Sequence, residues 1–197
     1  MSYGPAQVIP FEIDLSSIAR RSVASLYSHL ITRPTGRALR LGIESQLGEL
    51  NASCLSVLDF TQVVVLDYSC ADEAVAKLVQ RYIKSDRPAD VYFVARGLGE
   101  QHREPIEAVL DRHGLALAAE VEAAGYVLLG MATPVEQAAW VALEKARVAA
   151  PAQLASQLDA TAAQTTVLLD GLCDRRVVLR QGRDRYAALS SLLDIRH

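Results

Sequence analysis

Cysteine, surplus charge and long apolar runs are all scarce in this chain of 197 residues. Cys54, Cys70 and Cys173 are an odd number, far apart and in no CxxC pair. That spacing argues against a disulfide framework or a zinc site and points to a reducing cytoplasm. No apolar run approaches the roughly 20 residues that a membrane span needs, so no membrane association is expected. The opening "MSYGPAQVIPFEIDL" has no basic region followed by a long apolar stretch, so it does not read as a secretory signal. The net charge is only −3, which gives no global attraction to nucleic acid or anionic lipid. No internal repeat or low-complexity tract is present. A glycine-rich phosphate loop proper is also missing, because "RGLGEQHRE" has two glycines and no lysine.

Apolar residues make up 51% of the chain, enough to bury a substantial core. Their spacing alternates between strand-like runs and helical stripes. "QVIPFEIDL" reads as a strand over Gln7–Asp14. "SIARRSVASLYSHLI" reads as a helix, with Ile18, Val23, Leu26, Leu30 and Ile31 on one stripe. "TRPTGRALRLGIESQLGEL" reads as a second helix, capped by Thr32, with Leu39, Ile43, Leu47 and Leu50 inward. "CLSVLDF" is a buried strand, and "QVVVLDY" leads to Ser69, an N-cap for the helix that follows. "VYFVARGL" is another strand, "QHREPIEAVLDRHG" a helix ended by Gly114, and "LALAA" and "YVLLG" a strand pair. This alternation predicts an α/β fold over residues 1–132.

The texture changes near Ala132–Glu136, where a domain boundary is expected, with a second domain over residues 136–197. "EQAAWVALEKARV", "PAQLASQLD" and "ATAAQTTVLLDGLCDRR" read as three helices, the third capped by Thr161. "VVLRQGRDRYAAL" reads as two strands around a turn at Gly182. Helix, helix, helix, hairpin resembles a winged helix-turn-helix, a family whose usual role is DNA binding through the third helix. The resemblance points to Gln164, Thr165 and Thr166 on that helix, and to Arg180, Arg183 and Arg185 on the hairpin, as DNA contacts. Ala162, Ala163 and Val167 offer no base-edge hydrogen bond. From Glu136 to His197 eight lysines and arginines face seven acids, so the counterion-release drive is weak. The same module used for protein contact is therefore the competing expectation. A homo-oligomer, such as a dimer, would double the footprint of a weak DNA-binding module.

The stretch "VLDFTQVVVLDYSCADEAVAKL" resembles the central signature of STAS-like domains, whose members include anti-sigma-factor antagonists. The likeness spans roughly Ile31–Gly130. It implies a mixed sheet backed by helices and a role in partner switching. It puts Ser69 at the serine that a kinase-like ATPase phosphorylates, and Asp67, Tyr68, Ser69, Asp72 and Glu73 on a partner-binding face. Where the family carries glycine after the serine, this chain has Cys70. Asp72 and Glu73 share the first helical turn with Ser69, so like-charge repulsion with a phosphate is expected. Ser69 as a plain N-cap is the alternative.

For an enzyme the signals are thin. Asp59 and Asp67 lie at strand ends, where α/β proteins often keep chemistry, but no third acid or histidine at metal spacing joins them. Cys70 at a helix start could have a lowered thiol pKa, although Asp72 and Glu73 oppose the thiolate. His102 and His113 are read as surface residues. Neither catalytic residues, metal nor cofactor is expected. Arg33, Arg37 and Arg40 gather at a helix start and could hold an anion. Partner-driven regulation with a winged-helix output is the leading expectation. The rivals are a DNA-binding transcription regulator and an anion or nucleotide sensor.

Overall fold

A computed structural model describes residues 9–14, 29–50, 53–122 and 124–193, with the side chains of 9–14 and of residue 50 left aside. Five strands form the main sheet: β1 Ile9–Asp14, β3 Cys54–Asp59, β5 Val91–Leu98, β6 Ala116–Val121 and β7 Gly125–Gly130. They lie in the order β1-β3-β5-β6-β7. The first four run parallel and β7 closes the sheet antiparallel to β6. A two-stranded parallel ribbon, β2 His29–Leu30 with β4 Val65–Leu66, stands apart from it. The fold is therefore mixed α/β, as the alternation of patterns requires.

Three helices cover one face of the sheet. They are α1 Arg33–Leu50, a second helix over residues 68–83 (α2), and α3 Glu100–His113, which ends at Gly114. Helix α2 has three parts: α-helical Tyr68–Ala71, a π-helical turn Asp72–Ala76, and α-helical Lys77–Ile83. Leu39, Ile43 and Leu47 of α1 are buried on one stripe and pack with Cys54, Leu58, Phe93, Ala95, Leu117 and Ala119 of the sheet. Gly36 sets how near α1 comes to α2, since a Cβ there would stand 2.7 Å from the Cys70 carbonyl oxygen. The helix expected over "SIARRSVASLYSHLI" falls on residues outside the described set except at its end. There His29–Leu30 is a strand, not a last helical turn. Leu30 instead extends beside Leu66, and its carbonyl accepts the Asp67 N–H at 3.0 Å.

The opposite face carries the alternate residues of the same strands: Leu55, Tyr92, Val94, Ala116, Ala118 and Leu128. They pack with Trp140, Leu143, Leu169, Val178 and Tyr186 from the C-terminal segment. That packing explains why the strands are apolar on both sides of the period-two alternation, because neither face meets water. The segment comprises α4 Pro134–Ala146, β8 Val148–Ala149, α5 Pro151–Ala155 with a 3₁₀ turn Ser156–Leu158, α6 Ala162–Asp174, and the hairpin β9 Val178–Gln181 and β10 Arg185–Ala188. Its three strands are ordered β8-β10-β9. Thr161 caps α6 as expected, accepting the Gln164 N–H. No helix among the described residues is long and apolar enough to cross a membrane.

Candidate functional site

The start of α2 is organised by Asp67, not by Ser69. Asp67 is the N-cap: Oδ1 accepts the Cys70 N–H at 2.6 Å and the Ser69 hydroxyl at 3.0 Å. Oδ2 accepts the Thr32 N–H at 2.9 Å. Ser69 lies one residue inside the helix, where its hydroxyl is a donor to the cap and cannot itself cap. Burial would raise the Asp67 carboxyl, but the backbone N–H groups of Thr32 and Cys70 hold it below the usual carboxylate value. Thr32 adopts φ 79°, a strained conformation for a β-branched residue. One carboxylate thus ties the strand before α1 to the cap of α2.

The two acids after the cap are not a surface feature. Asp72 and Glu73 are 6% and 4% exposed. The π turn that starts at Asp72 sends both into the seam between α1 and α3. Asp72 meets Arg33 at 2.8 Å, His113 Nε2 at 2.7 Å and Lys77 at 3.7 Å. Glu73 meets Arg33 at 3.0 Å, Arg40 at 3.4 Å and Lys77. Burial alone would raise both carboxyls, yet the hydrogen-bond and ion-pair partners of each hold it below its ordinary value. Neither carboxylate is presented for direct contact with a partner, because desolvated acids must be paired. Three cationic side chains, Arg33, Arg40 and Lys77, also soften the repulsion expected against a phosphate on Ser69.

The same contacts divide the arginine trio. Arg33 and Arg40 turn to internal carboxylates, Arg33 while still partly exposed, and among the described residues Arg37 is exposed without a polar partner. The histidine expectation is corrected as well. His102 is 2% exposed, and His113 is half-buried on Asp72. Cys70 is fully buried, and burial pushes its thiol up to about 12, so it is no reactive thiolate.

What the cap does show outside is apolar and aromatic. Tyr68 is half exposed and donates to Glu104 at 2.8 Å. Ile31, Val64 and Val65, in or beside the strand ribbon joined to the cap, are exposed too. Beside them a cavity of about 350 Å³ is lined by Arg33, Tyr68, Ser69, Asp72, Val109 and Arg112. Asp67, Tyr68 and Ser69 therefore stay together at one accessible place, whereas Asp72 and Glu73 form its buried floor.

The C-terminal candidates do not converge in this way. Thr165 is fully buried and its hydroxyl donates to the Thr161 carbonyl at 3.0 Å, so it cannot reach a base edge. Gln164 Oε1 accepts the Thr161 N–H at 2.8 Å, and Thr166 donates to the Ala162 carbonyl at 2.9 Å. Val167 is 72% exposed on the same helix. Arg180 is 3.0 Å from Asp170 and lies over the Tyr186 ring, while Arg183 and Arg185 are exposed.

A larger cavity, about 600 Å³, opens at the C-terminal ends of β3, β5 and β6. Thr61, Gly97, Gly99, His102, Glu120 and Glu122 are among its lining residues. None of these except His102 stands out in the sequence by type. The available signal was positional: two glycines where a strand turns into a helix. Asp59 sits behind this cavity as a loop anchor, accepting from Thr61 N–H at 2.9 Å and from Arg96 at 2.8 Å. Among the described residues no three of His, Cys, Asp or Glu are grouped to hold a metal ion. No protein-family model matches the chain, and no curated protein is significantly similar to it.

Proposed function

We propose that this protein is a non-enzymatic regulator that works by docking a protein partner at the start of α2. Its α/β body resembles STAS-like domains, and its C-terminal segment serves as a winged-helix output module. The observation that carries this reading is the cap itself. Asp67 holds Ser69 and a strained Thr32 on one carboxylate, beside exposed Tyr68, Ile31, Val64 and Val65. Apolar and aromatic groups grouped around a few fixed polar ones are what a protein interface core requires. Ser69 is the switch position. A phosphate there would break the hydroxyl's bond to Asp67 and place new charge beside Arg33 and Arg112, which share its cavity.

A photo-crosslinking residue in place of Tyr68 tests the docking. In native cells it is expected to trap one dominant protein, and Ser69→Asp is expected to remove that adduct. Equal trapping from a probe at the distant, exposed Lys145 would refute the site. For the C-terminal module, protein contact is favoured over DNA, because the exposed side of α6 carries Ala162, Ala163 and Val167 and Arg180 is engaged by Asp170. Gel shifts at two salt concentrations test the DNA alternative. Tight binding with a steep salt slope, lost on Arg183→Ala with Arg185→Ala, would establish it.

A further inference from the structure

The cavity at the strand ends is unrelated to the α2 cap and has the layout of a ligand site. Open α/β sheets bind ligands outside the carboxyl ends of their strands at a topological switch point. The order β1-β3-β5-β6-β7 has no such reversal, so the site here is built on a single βαβ unit and the cavity at its end. Here β5, α3 and β6 form one such unit, with β5 and β6 adjacent and parallel. Gly97 lies near the end of β5, at an irregularity in its pairing with β6, and Gly99 is the N-cap of α3. Gly97 has φ 68°, and a Cβ there would fall 2.4 Å from Thr61 Oγ1, so the turn admits no larger residue. Glu120, 21 residues after Gly99, is the penultimate residue of β6 and lines the same cavity. In dinucleotide-binding units an acid about 20 residues beyond the glycine turn accepts the hydroxyls of a ribose.

The groups present select the chemistry further. Glu120 is partly exposed at the cavity wall and, among the described residues, has no hydrogen-bond or ion-pair partner. His102 is 2% exposed and also lines the cavity. Its Nδ1 accepts the Gly99 N–H at 3.1 Å, which leaves the proton on Nε2. Among the described residues that Nε2 is buried without a hydrogen bond of good geometry, although the Val63 backbone lies close enough to favour its protonated form. The amides of Glu100 and Gln101, in the first turn of α3, have no intrahelical acceptor. Against these donors stand the carboxylates of Glu120 and Glu122 in the cavity lining, while Arg96, also in the lining, is held by Asp59. The two carboxylates disfavour a polyphosphate, and the volume fits a nucleoside-sized molecule.

We infer that this cavity binds an uncharged ligand of nucleoside size through a vicinal diol, both hydroxyls donating to the Glu120 carboxylate. The diol belongs to a ribonucleoside or to a free sugar, and the test separates them. Calorimetric titration uses adenosine, guanosine, cytidine and uridine, their 2′-deoxy counterparts, ribose, and ATP. At least one ribonucleoside is expected to bind saturably. Its 2′-deoxy form should bind about tenfold or more weaker, as loss of one such bond implies, and ATP should bind more weakly than the nucleoside. Saturable binding of ribose as tightly as of any nucleoside would also support the diol and assign the sugar as its source. Glu120→Gln, nearly isosteric, should abolish the heat while leaving the circular dichroism spectrum and melting temperature unchanged. Glu122→Gln should keep binding. The inference is overturned if none of these probes binds saturably, if the deoxy forms bind equally, or if a folded Glu120→Gln protein binds as well as the parent.

Discussion

The Arg176 guanidinium lies 3.9 Å from the centroid of the Tyr92 ring and donates through Nε to the Val91 carbonyl at 2.8 Å. It also pairs with Asp90, and its backbone takes φ 59° to do so. One buried side chain from the turn before β9 thereby joins the C-terminal segment to the start of β5. Removing it would leave a ring face and a carbonyl without their partner. Arg176→Ala is expected to cost about 2 kcal/mol in urea unfolding. Arg176→Lys should recover only part of that, because an ammonium cannot stack and bond as the planar fork does.

The cap assignment separates Asp67 from Ser69. Asp67→Ala removes the acceptor for two backbone N–H groups and should lower stability by about 1–2 kcal/mol. Ser69→Ala should change it by no more than about 0.5 kcal/mol. Thermal and urea melts of the two variants check this. A functional defect in Ser69→Ala would then not be a folding defect.

Acid should weaken the protein in two steps. Burial of His102 holds its imidazole below the ordinary 6.5, so the unfolded chain takes up a proton that the native chain refuses. Stability is therefore full above about pH 6.5 and falls as pH drops below it. Asp72 and Glu73 are held below their ordinary 3.8 and 4.5, so their contribution is present above those values and is lost on further acidification. Unfolding free energy measured from pH 8 to pH 3 should fall in both windows. His102→Asn, which keeps an acceptor for the Gly99 N–H, should flatten the first.

Within the charged seam, Glu73→Gln leaves Arg33, Arg40 and Lys77 short of a counter-charge. The expected loss is about 2 kcal/mol, below the full cost of breaking a buried pair because Arg33 and Lys77 are partly in water. Arg37→Ala, at the exposed member of the trio, should be silent. Urea midpoints of the two variants give the comparison.

Close approach of α1 and α2 predicts a further sensitivity. Gly36→Ala would force a methyl group against the Cys70 backbone, with an expected cost of about 1–3 kcal/mol seen as a lower melting temperature. Gly48→Ala, with open space around it, should be neutral or slightly stabilising.

Much of this architecture could be read directly from residue order. Strands β3, β5, β6 and β7, helices α1 and α3, the Thr161 cap and the Gly182 hairpin follow from period-two or period-3.6 spacing and from local turn chemistry. Local chemistry also misled. Ser69 precedes two acids like an N-cap, but Asp67 two residues earlier reaches both Cys70 and Thr32. Thr32 is 35 residues away, so no window of sequence contains that bond. The burial of Asp72, Glu73, His102 and Thr165 was hidden for the same reason. A polar residue on a helix reads as exposed until the partners that neutralise it arrive from other elements.

Residue order alone therefore determined the main strands and helices, because backbone preference and apolar spacing act over a few residues, whereas the His29–Leu30 strand was set by its pairing with β4. Tertiary structure decided which charges face inward, which carboxylate commands the α2 cap, and that both faces of the sheet are covered. It also brought Gly97, His102 and Glu120 to one cavity. Those outcomes depend on contacts between residues far apart in the chain, whose free energies exist only once the elements have packed.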